Sequence, residues 1–91
     1  MALEAEAIAR IDALAGALGN AADTGSVAYA IQRLLPGFPL RQCDASDVLE
    51  EPFRSVGACD LHLLDTSSHC IRVTDSPEEA TGILLAARVS A

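Results

Sequence analysis

Residues 76–88 read SPEEATGILLAAR, and the conformation of this stretch decides the architecture of the chain. Its first residues carry the local marks of a helix start. Ser76 stands in the cap position, Pro77 at the first helical position, where its missing N–H is harmless, and Glu79 three residues after the cap, completing a capping box. Ala80, Ile83, Leu84 and Ala87 then recur at helical spacing and predict an inward stripe. Gly82 lies inside this element at a cost of ~1 kcal/mol relative to alanine, which predicts a close neighbour in the space of the missing side chain. On this reading the chain ends in a helix, and the sheet must be built from what precedes it.

Upstream, the period is that of strands. Leu61 and Leu63 alternate with Asp60 and His62, and Ile71 and Val73 alternate with Cys70, Arg72 and Thr74, the rhythm of a sheet with one buried face. Pairing Leu63 with Ile71 and Leu61 with Val73, across a connection from Thr66 to Ser68, puts all four on one side. That is the predicted register, because a one-residue slip turns the apolar set outward. The stretch FPLRQC, residues 38–43, reads as a short edge strand, since Pro39 cannot donate to a ladder. Nearer the N-terminus, Ala7, Ile8, Ile11, Leu14, Ala15 and Leu18 predict a helix from Leu3 to Leu18, with Glu6 and Arg10 one turn apart and a stop at Gly19-Asn20. A second helix is predicted to start between Asp23 and Ser26, to carry Val27, Ile31, Leu34 and Leu35 inward, and to stop at Pro36-Gly37. The expected fold is one α+β domain over residues 1–91: two N-terminal helices, a three-stranded, mainly antiparallel sheet and a C-terminal helix, with the helices on one face of the sheet.

Composition narrows the function. The chain has 91 residues, 51% of them hydrophobic, enough for a core without metal or disulfide support. Its net charge is −7, its six basic residues are all arginine, and it has no tryptophan, which argues against a nucleic-acid partner needing a basic face and stacking platforms. No apolar run reaches the ~18–20 residues of a membrane span. The opening MALEAEAIAR carries acids where a secretory signal carries basic residues, so the expected location is the cytoplasm, with Cys43, Cys59 and Cys70 reduced.

The predicted hairpin sets Asp60, His62, Cys70, Arg72 and Thr74 together on the face opposite the leucines. The ordinary reading of such a face is a solvated one. The functional reading is a recognition surface with the acidic loop from Asp44 to Glu51 at its rim. Pro52 and Phe53 pin that loop, and Asp44, Ser46 and Asp47 can satisfy its backbone donors. The candidate interaction surface is therefore Asp44, Asp47, Glu50, Glu51, Arg54, Asp60, His62, Cys70 and Arg72, facing a protein partner. No cysteine pair has the close spacing of a structural zinc site and no acid run has that of a calcium loop, so neither a metal nor a cofactor is assigned. No phosphate-binding loop is present and no catalytic residue is assigned; Ser, His and Asp occur, but a triad is recognised by geometry. The alternative is a metal- or thiol-dependent accessory protein, iron–sulfur or redox, using Cys43, Cys70, His62 and His69. Among the thiols Cys70 is best placed, with Arg72 and His62 on its face, whereas Cys43 precedes Asp44 and Cys59 precedes Asp60. Finally, Ala5, Ala9, Ala13 and Ala17 form a second stripe on the first helix, which either the second helix covers or another protomer does, giving a homodimer.

The run CDASDVLEEPFR, residues 43–54, followed by DLHLLDTSSHCIRVTDSPEEATGILLAAR, residues 60–88, resembles a small bacterial family of uncharacterised proteins whose genes accompany nitrogenase genes. The resemblance covers Cys43 to Arg88. It implies a cytoplasmic protein of a nitrogen-fixing bacterium and supplies no catalytic residue, fold or cofactor.

Overall fold

The stretch that promises a C-terminal helix is a strand. The computed structural model describes residues 3–19, 22–67 and 70–88. It contains two helices, α1 (Ala5–Leu18) and α2 (Thr24–Leu34), and five strands, β1 (Leu40–Asp44), β2 (Arg54–Val56), β3 (Cys59–Asp65), β4 (Arg72–Thr74) and β5 (Gly82–Ala87). The sheet runs β1-β5-β3-β2, with β4 also on β3; β1 and β5 are parallel and the other pairings antiparallel. The expected three-stranded sheet with a C-terminal helix is thus replaced by two helices and a five-stranded mixed sheet.

The helix-start residues are satisfied by a single turn that goes no further. The Glu79 N–H donates to the Ser76 carbonyl at 3.1 Å and the Ala80 N–H to that of Pro77 at 3.3 Å. The Glu79 carboxylate then accepts from the Thr74 hydroxyl at 3.0 Å instead of completing a capping box on Ser76. Beyond the turn, the run Gly82–Ala87 is apolar on both sides, and so suits a central strand better than an amphipathic helix. Ile83 and Leu85 face the helices, Ala86 faces the other way, and all three are buried. As a strand the segment completes two ladders, to β1 and to β3; as a helix it would leave both those edges open. Space does not demand the glycine at 82: a Cβ there would lie 3.4 Å from the Pro39 oxygen and 3.6 Å from the Leu64 Cβ, ordinary contact distances.

The two N-terminal helices follow their local signals. Asp23 caps α2, accepting from the Ser26 N–H at 3.3 Å and the Ser26 hydroxyl at 2.6 Å, and α1 ends at Gly19 with φ 68°. Ile11, Val27, Ile31 and Leu35 pack on Val56, Cys59, Leu61, Leu63, Ile83 and Leu85 to form the core between helices and sheet. Ala5, Ala9, Ala13 and Ala17 are all exposed, so α2 does not cover that stripe.

The hairpin register also differs. Leu63 pairs with Thr74, Leu64 with Val73 and Asp65 with Arg72, three residues away from the predicted pairing. An odd slip exchanges the faces of β4. Thr74 and Arg72 therefore lie on the side of Leu63, and Val73 on the side of Leu64 and His62. Side-chain pairs across the hairpin and the following turn hold this register: Arg72 meets Asp65 at 2.9 Å and Glu79 at 3.4 Å, and Thr74 on the same side donates to Glu79.

The second sheet face is covered as well. Residues 45–53 leave β1 at one edge and enter β2 at the other, so they must cross β5 and β3. Nine extended residues span about 30 Å, while three strand spacings need about 14 Å. Part of the slack is taken up by a 3-10 turn at Ala45–Asp47, which contacts β5. This strap lies opposite the helices, and beneath it His62, Leu64 and Ala86 are buried. A solvated outer face was expected there; the strap is what turns His62 from a surface residue into a buried one.

Candidate functional site

The outer edge of β3 is shared by two short strands placed end to end. β2 takes Cys59–Leu61 and β4 takes Leu63–Asp65, which leaves His62 opposite neither. The break forms a cavity of about 500 Å³. Glu50–Phe53, the end of the strap, make one wall, and Arg72–Asp75 with Glu79 make the other. His62 and Leu63 line it from β3. His62 is only 2% exposed, and its Nδ1 is buried with no hydrogen-bond partner. A buried polar atom left unpaired costs about 1–3 kcal/mol.

The walls are charged and unevenly paired. Arg72 reaches in from the helix side of the sheet, already held by Asp65 and Glu79. Asp65 is held further by Ser67, whose N–H and hydroxyl donate to its Oδ1 at 2.9 and 2.5 Å. These Ser67 bonds, and then the Arg72 charge, hold the Asp65 carboxyl below its usual range. By contrast Glu50 and Glu51 are exposed and make no side-chain hydrogen bond or ion pair among the described residues. Phe53 is half-buried, with the Arg54 guanidinium 4.4 Å over its ring.

The surface expected from sequence is therefore split. His62, Arg72, Glu50 and Glu51 come together at the cavity. Arg54 points to the helices, where it meets Asp12 at 2.7 Å. Asp60 is held by Arg88 at 2.6 Å, near the β2–β3 turn. Asp44 and Asp47 lie at the other end of the strap beside Cys43, whose thiol is pushed up by burial and then by the Asp47 and Asp44 charges. Cys59 is buried and Cys70, outside β4, is exposed; Arg72 does not share the face of His62. Among the described residues no group of three or more His, Cys, Asp or Glu side chains is placed to hold a metal ion, and His69 lies outside the described residues. No helix among them is long and apolar enough to cross a membrane.

Sequence reading missed Asp75 and Glu79 as cavity residues, because it placed Glu79 in a helix, and it grouped Thr74 with His62 and Arg72 without assigning it to the interaction surface. It also missed Leu49, which is 96% exposed on the strap. A leucine off any apolar stripe, with Asp47 two positions before it and Glu50 directly after it, was the available signal. No curated protein and no solved structure matches the chain. A family model does match residues 13–88, most of the chain, and by that match the protein belongs to DUF6129, a family of unknown function.

Proposed function

We propose that the protein is a non-catalytic accessory module of the cytoplasm that binds another protein through the strap between β1 and β2, and that it serves the nitrogen-fixation system its C-terminal half resembles. Leu49 carries the reading. It is 96% exposed, next to Glu50 and Glu51 and close to Asp47, on a segment anchored at both ends by strands. An anchored strap loses little conformational freedom when it is bound, and a leucine flanked in sequence by acids suits an apolar pocket rimmed by arginine or lysine. The pathway rests on the resemblance of Cys43 to Arg88 alone. A second protomer on the exposed alanine stripe of α1 would make the module a homodimer without occupying the strap.

Affinity capture from a nitrogen-fixing culture tests this, with the wild type and Leu49→Ala compared under fixing and non-fixing conditions. Full burial of a leucine is worth about 1.5–3 kcal/mol, so the variant should bind its partner about ten- to a hundredfold more weakly with no loss of thermal stability. A partner retained equally by both proteins would sink the strap as the contact. A partner captured equally whether or not nitrogen is being fixed would sink the pathway.

A further inference from the structure

We propose that the cavity at the break in the β3 edge is a receptor for an organic cation, an alkyl guanidinium or ammonium group. Two independent observations meet there. The first is charge: Glu50, Glu51, Asp75 and Glu79 line the cavity against one cation, Arg72, which is already engaged by Asp65 at 2.9 Å and Glu79 at 3.4 Å. The second is His62, a lining residue 2% exposed whose Nδ1 has no partner. With the ring proton on Nε2, Nδ1 is an acceptor that an N–H donor from a ligand would satisfy. A guanidinium or ammonium group brings donors and positive charge together; a carboxylate or phosphate would bring neither and would meet the glutamates. Phe53, Leu63 and Val73 supply apolar wall for a short hydrocarbon stem. The volume, about 500 Å³, lies within the range of small-ligand sites.

The cation could be a free small molecule or the arginine or lysine side chain of a bound protein. Titration of the full-length ¹⁵N-labelled chain with agmatine, with N-acetyl-arginine amide and with sodium acetate separates these, following backbone amides and the His62 imidazole nitrogens. Both cations should shift Phe53, His62 and Val73 saturably, and acetate should not. Tighter binding of agmatine identifies a free cation; equal or tighter binding of the capped arginine identifies a protein side chain. The exposed double variant Glu50→Gln, Glu51→Gln, with its melting temperature checked, should weaken both cations about tenfold. The proposal is overturned if neither cation shifts the cavity residues, which would leave water as the occupant, if acetate binds there instead, or if the double variant binds as well as the wild type. Leu49→Ala should leave these titrations unchanged, so the cavity and the strap contact succeed or fail separately.

Discussion

Replacing Gly57 by alanine should cost the protein a large part of its stability. Gly57 and Ala58 form the two-residue turn between β2 and β3; Gly57 has φ 59°, and among the described residues no non-glycine residue has positive φ, the pattern of a type II′ hairpin with glycine first. A Cβ at this position would lie 2.8 Å from the Ala22 carbonyl oxygen, 2.8 Å from the Val27 Cγ2 and 3.0 Å from the Ala22 Cβ. Neither the carbonyl nor Val27 can easily move. The Ala22 oxygen accepts the Ala58 N–H at 2.9 Å, and Val27 is fully buried in the first turns of α2. The left-handed backbone costs a residue with a Cβ about 1–2 kcal/mol, and crowding a packed site typically adds about 1–3 kcal/mol. The expected loss is therefore about 2–5 kcal/mol, from a total stability that for small domains lies near the lower end of about 5–15 kcal/mol. Urea unfolding followed by circular dichroism reads it as a fall in midpoint of about 2 M or more, with a slope near 1 kcal/mol/M. Gly16→Ala is the internal control. No atom lies within 4 Å of its Cβ position in α1, so the substitution should raise stability by about 0.5–1 kcal/mol. A Gly57→Ala protein within about 0.5 kcal/mol of the wild type, still unfolding cooperatively, would refute the docking of the β2–β3 turn on the start of α2.

Two further outcomes follow from the same geometry. Alkylation of the native protein, resolved by mass spectrometry, should modify Cys59 slowest, because it is fully buried in the core. Cys43 should react slowly at neutral pH and faster as pH rises, since its raised pKa keeps the thiol protonated, and Asp47→Asn should speed it; equal rates for wild type and variant would show that the Asp47 charge does not reach the thiol. Asp65, with its folded pKa held below the unfolded value of 3.8, contributes stability that is fully present above that value and is lost as pH falls through the lower folded pKa. Ser67→Ala removes the first cause of the depression, so it should reduce stability at neutral pH and flatten the acid limb of a melting-temperature profile; an unchanged limb would count against the assignment.

The sequence by itself determined the elements whose signals are local. The apolar spacing from Ala7 to Leu18, the Asp23 cap and the glycine at 19 specify α1 and α2, because helix bonds and caps join residues three or four apart. The alternation through Leu61 and Leu63 likewise marks β3, and Pro39 marks β1 as an edge. What tertiary structure alone decided is the part built from distant pairs. Ser76, Pro77 and Glu79 make their turn as local rules require, yet six apolar residues after it fit a buried helix or a buried strand equally well. The tie is broken by the ladder from Leu40↔Ile83 to Asp44↔Ala87 and its counterpart on β3, both between residues far apart in the chain. The same is true of the cavity. His62 reads as an outward residue because its neighbours alternate, and it is buried because a strap that begins two strands away crosses over it. Local periodicity records which residues share a face; it carries no information about whether another part of the chain will cover that face.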